Sequence, residues 1–139
     1  MAVFQFSETL RNNRLNQVET TLGGAPKLRI MSGAKPAGCN DADNGTMLCE
    51  ITLPSDWMTT ASGGVKIKNG VWTGTADALA GGGTTATHFR LKNSAGTLVH
   101  IQGDITTTGG GGAMTINDTN VVAGQPVTVT SFTLTDGNS

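Results

Sequence analysis

Val65-Lys66-Ile67-Lys68-Asn69-Gly70-Val71-Trp72-Thr73 sets the reading of the whole chain. Apolar and polar residues alternate on either side of Asn69-Gly70, and period two marks a strand with one covered face. Asn-Gly between two such runs is the preferred two-residue type I′ hairpin turn, because both positions require positive φ. This turn sets Lys68 opposite Val71 and Ile67 opposite Trp72. Val65, Ile67 and Trp72 then share the buried face, with Lys66 and Lys68 turned to solvent.

The same period runs outward in both directions. Downstream, Phe89 and Leu91 lead through Asn93-Ser94-Ala95-Gly96 to Val99 and Ile101, a second hairpin. Upstream, Leu28 and Ile30 alternate with Lys27 and Arg29, and Met47, Cys49, Ile51 and Leu53 alternate up to Pro54. In the last strand, Val127 and Val129 hold odd positions while Phe132 and Leu134 hold even ones. One strand can bury both pairs only with an extra residue between them, which predicts a β-bulge near Thr130-Ser131. Glycine runs at 81–83 and 109–112 read as flexible surface linkers. Residues 7–24 carry the one helical pattern: Ser7 as N-cap, Glu8 in the first turn, a thin apolar stripe of Leu15, Val18 and Leu22, and Gly23-Gly24 as stop. The expected architecture is a single all-β domain over 1–139, a jelly-roll-like β-sandwich of about eight strands. Residues 1–6 form an arm, 7–24 one N-terminal α-helix and 27–135 the strands.

Composition narrows the function. The 139 residues are 14% charged with a net charge of −1, 4% aromatic and without Tyr. That balance argues against a nucleic-acid partner, which calls for a basic face. No apolar run approaches the ~18 residues of a membrane span. Met1 to Phe6 lacks the charged and apolar regions of a secretory signal, so synthesis in a cytoplasm is expected, with Cys39 and Cys49 as free thiols.

Catalytic groups are sparse. His88 and His100 have parity opposite to their apolar neighbours, which places both on the solvent side of the second hairpin, with no third ligand for a metal. Asn40-Asp41-Ala42-Asp43-Asn44-Gly45 resembles a calcium loop, but Thr46 and Thr52 stand where that loop needs Gly and Glu, so it reads as a polar turn. The glycine runs lack the Lys-Ser/Thr of a P-loop, and no G-x-S-x-G elbow occurs. The chain reads as no enzyme, with no cofactor and no small-molecule substrate.

Three groups of residues carry a resemblance. The first is Arg14-Leu15-Asn16, Pro26 to Ile30, Ser32 to Ala37, and Cys39 through Leu48 with Leu53-Pro54. The second is Phe89-Arg90-Leu91, Ser94 to Thr97 and His100 to Gly103. The third is Gly124-Gln125 with Thr130 to Gly137. Together they resemble small structural proteins encoded among the virion genes of tailed phages and prophages. Within that group the chain looks like the cement, or decoration, proteins of phage heads, among them the jelly-roll cement protein of a Bordetella podophage. The resemblance implies a virion location, the major capsid protein as partner, and self-association, most simply as a homodimer. A tail or neck component, or a carbohydrate- or receptor-binding module, would use the same fold.

The expected interface residues are Phe4 and Phe6, which alternate ahead of the helix and could add to a neighbouring sheet edge. With them go Arg11 and Arg14 on the helix, and Trp57 as a loop anchor. Residues 1–40 hold five basic and two acidic groups, which suits an acidic shell surface.

Overall fold

The computed structural model describes residues 4–137. Ser7 starts helix α1 (Glu8–Leu22), its Oγ accepting from Leu10 N at 3.1 Å, and the Gly23 N–H closes it on Glu19 O at 2.8 Å. Leu15 and Leu22 are buried and Val18 is partly so, as the thin stripe requires.

Among the described residues ten strands follow: β1 (Lys27–Met31), β2 (Met47–Thr52), β3 (Val65–Ile67), β4 (Thr73–Thr75), β5 (Thr84–Thr85), β6 (His88–Lys92), β7 (Val99–Thr107), β8 (Met114–Ile116), β9 (Asn120–Val121) and β10 (Pro126–Thr135). The main sheet runs β2-β1-β6-β7-β8-β10-β3, with β4 also on β10, while β5 and β9 pair separately. The sheet curls until its ends meet. Asp77 N donates to Leu48 O at 2.7 Å, the Cys49 thiol reaches Thr75 O at 3.4 Å, and Gly74 sits against Ile51 and Cys49. The fold is the expected jelly-roll-like all-β class with one N-terminal helix. Four aromatic rings cross its interior in series, Trp57–Trp72–Phe132–Phe89, with centroids 6.0, 5.8 and 5.6 Å apart.

The second hairpin forms as expected, with Leu91 opposite Ile101 and Phe89 opposite Gly103. So does the bulge: β10 slips register against β8 between Val129 and Ser131, which keeps Val127, Val129 and Phe132 buried.

The first hairpin does not form. β3 pairs with β10 at Thr133–Thr135 and β4 pairs with it at Pro126–Thr128, both antiparallel. Lys68 N donates to Phe132 O and Val129 N to Trp72 O, so residues 65–75 run in one direction along β10. Asn69-Gly70 is a bulged excursion in that path, held by Asn69 N on Trp57 O and by the Asn69 amide on Asp56. The face assignment inverts with it. Ile67 is 48% exposed, Val65 is also exposed and Lys66 is 1% exposed; Trp72 alone is inside as expected.

The glycines at 109–112 have a tighter task than linking. β7 and β8 are parallel, with Ile105 beside Met114, although only residues 108–113 join them. Parallel neighbours ordinarily need a crossover of a dozen residues or more. Here the chain doubles back against β7, with Gly112 N on Thr106 Oγ1 at 3.0 Å, and Cβ atoms at Gly110 or Gly112 would strike Thr106.

Candidate functional site

The sequence reading placed five residues at an interface, and the fold brings three of them together. Phe4 and Phe6 meet edge to face at 5.4 Å, and the Arg14 guanidinium lies over the Phe6 ring at 4.9 Å. Neither phenylalanine belongs to a strand, and Met1 to Val3 lie outside the described residues. Phe4 is 63% exposed. Arg14 also borders a shallow groove of about 220 Å³ between helix and sheet, lined with Gln17, Val18, Thr21, His100 and Ile101. An aromatic pair, a cation and a partly apolar groove thus form one continuous surface, suited to protein contact.

Two residues are not part of this exposed surface. Trp57 is a correction: it is 0% exposed, and its indole N–H donates to Gly23 O at 3.1 Å. The loop after Pro54 tucks beneath the helix C-terminus, where a large ring fills space and satisfies a carbonyl that the helix leaves open. Arg11 is half-buried, turned toward the end of β10, and donates to Asp136 O at 3.2 Å.

The positive character expected of residues 1–40 is offset by partners from later in the chain. Arg14 pairs with Asp136 at 3.1 Å, Arg29 with Asp43 and Glu50 at 2.9 Å each, and Lys35 with Asp104 at 3.5 Å.

The Asp-rich turn resembling a calcium loop covers the outer face of β1 and β6. Arg90, 1% exposed beneath it, donates to Asp43 Oδ1, Asp41 O, Gly38 O and Gln102 Oε1. Partial burial alone would raise the Asp43 carboxyl. Hydrogen bonds from Lys92 and Arg90, with the nearby charge of Arg29, outweigh burial and hold it below the usual carboxylate range. His88, two residues earlier on the same face of β6, is also buried, correcting the solvent-side expectation, whereas His100 is exposed. Burial pushes the His88 imidazole down, its Nδ1 meets Thr87 Oγ1 at 3.0 Å, and its Nε2 has no hydrogen-bond partner among the described residues. Both cysteines are free thiols. Among the described residues, no group of three or more His, Cys, Asp or Glu is placed to hold a metal ion.

The sequence reading passed over the polar face of α1. Glu8 accepts from Gly63 N, Asn12 from Gly64 N, and Asn16 from both Ala61 N and Lys66 Nζ, while Glu19 pairs with Lys66. These residues sit three or four apart on one side of the helix, a stripe that the sequence displays but that resembles a solvated face. Comparison with known proteins finds no matching family model, no matching curated protein and no matching solved structure.

Proposed function

We propose that this protein is a structural component of a tailed-phage virion, a cement protein that binds the assembled lattice of the major capsid protein. One observation carries the reading: the jelly-roll-like β class that the sequence resemblance implies is the class the chain adopts. The Phe4, Phe6 and Arg14 cluster beside the helix groove, with Phe4 and Arg14 exposed, is the candidate contact region. A cement protein works by mass action, favouring the assembled shell because it binds that state and not the free subunits. A two-fold dimer bridging neighbouring capsomers strengthens weak single contacts through effective concentration.

The test is quantitative mass spectrometry of purified particles, comparing copies of this chain with copies of the major capsid protein. Comparable numbers support lattice-wide cement. A few copies per particle move the protein to the neck or tail, and absence from particles rejects a virion role.

A further inference from the structure

Lys66 is the most unusual side chain in the fold. It is 1% exposed, and its Nζ lies 2.5 Å from Glu19 Oε1, 2.9 Å from Asn16 Oδ1 and 2.6 Å from Thr59 O. Fully buried lysines are rare, and an apolar residue of similar volume would serve packing at least as well. Asn16 Oδ1 accepts a second hydrogen bond, from Ala61 N at 2.9 Å. Its amide nitrogen makes no hydrogen bond to the protein among the described residues. An amine buried from water, an amide carbonyl with a backbone N–H aimed at its oxygen, and a partly exposed carboxylate are therefore held together. Those are the parts of an acyl-transfer site: nucleophile, electrophile with oxyanion donor, and general base.

We propose that Lys66 and Asn16 condense into an intramolecular isopeptide bond. Glu19 takes a proton from the Lys66 ammonium, and the neutral Nζ attacks Cγ of Asn16. The electron pair displaced onto Oδ1 is held by the Ala61 N–H. Glu19 then delivers its proton to Nδ2, the Cγ–Nδ2 bond breaks, and ammonia departs past the partly exposed Glu19. Glu19 removes the second Nζ proton, which leaves with the ammonia as ammonium. The balance is Lys66–NH₃⁺ plus Asn16–CONH₂ giving Lys66–NH–CO–Asn16 plus NH₄⁺, with no change in oxidation state. The product ties α1 covalently to β3 across 50 positions of sequence. This chemistry stands independently of any virion role.

Intact-mass spectrometry of the purified, folded wild-type chain is the test. The expected mass lies about 17 Da, one ammonia, below that of the unlinked chain. Trypsin is expected to yield a branched peptide joining residues 15–27 to residues 30–68, because a linked Lys66 is no longer a cleavage site. Succinimide formation at Asn44-Gly45 or Asn69-Gly70 loses the same mass but gives no branched peptide, so a deficit without that peptide overturns the proposal. A full-mass wild-type chain overturns it as well. Lys66→Arg is expected to abolish the branched peptide, and Glu19→Gln to leave the chain unlinked. Linkage in Glu19→Gln at the wild-type rate overturns the proton-transfer role of Glu19.

Discussion

Asp43 Oδ1 accepts from Arg90 Nε at 3.1 Å, and this contact clamps a loop onto the outer face of a central strand. The same carboxylate reaches Arg29 and Lys92, so one aspartate balances three cations. Asp43→Ala leaves the Arg90 charge buried with only neutral acceptors. The expected loss is about 3 kcal/mol of unfolding free energy, the scale for removing one partner of a buried pair. Urea titrations of wild type and variant give the value directly, and a loss under about 0.5 kcal/mol would place the loop's anchorage elsewhere.

His88 makes stability depend on pH. Its folded value lies below the ordinary 6.5 because burial and the charges of Arg90 and Lys35 outweigh the opposing influence of the Gly33 backbone and the charge of Asp43. As pH falls below 6.5 the unfolded chain takes up a proton that the folded chain refuses, so stability declines toward the folded value. The Asp43 contribution is present above its ordinary 3.8 and is lost only below that point, which separates the two windows. The urea midpoint is therefore expected to drop between about pH 7 and pH 5, and His88→Gln to flatten that slope. An equal slope in the variant would assign the effect to another group.

The two thiols should react very differently. Cys49 is buried, and burial with the charges of Asp77 and Glu50 pushes it up to about 11, whereas Cys39 lies half-exposed on the loop. Thiolate is the reactive form, so native labelling with a disulfide reagent is expected to modify one cysteine and labelling in denaturant two. Peptide mapping should find the native label on Cys39; rapid native labelling of Cys49 would mean that β2 and β4 open readily.

Glycine substitutions should divide by position. Gly45 has φ +80, and a Cβ there would collide with the Ser32 carbonyl, whereas Gly82 has open space around it. Gly45→Ala is expected to lower the thermal midpoint sharply, and Gly82→Ala to leave it unchanged or raise it slightly through the unfolded state. Thermal melts of the two variants decide the comparison.

Much of this fold can be read from alternation alone. The β10 bulge follows from Val129 and Phe132 sharing one interior across opposite parity, a constraint local to the strand. The Phe89–Ile101 hairpin follows for the same reason. Asn69-Gly70 misleads because a turn preference of local origin competes with the long edge of β10, which offers residues 65–75 a continuous partner. His88 misleads because parity reports which face of a strand a residue occupies, not whether another segment covers that face, and Trp57 because a loop position does not reveal that the loop tucks beneath the helix end. The Lys66 cluster was invisible as a site: Asn12, Asn16 and Glu19 have the same spacing and polarity as a helix facing water. Only the tertiary approach of β3 distinguishes the two.

β10 binds β8 along one side and both β3 and β4 along the other, and Asp136 just beyond it holds Arg11 and Arg14 of the helix. During synthesis, β3, β4 and β8 leave the ribosome before the strand that pairs with them. At about 5–20 residues per second, the span from β4 to β10 leaves the β3 and β4 edges open for several seconds. The nascent domain is thus an incomplete sheet with uncovered backbone, a state that invites pairing with other chains. Closure of the sheet therefore waits for β10, the strand that joins β8 to β3 and β4.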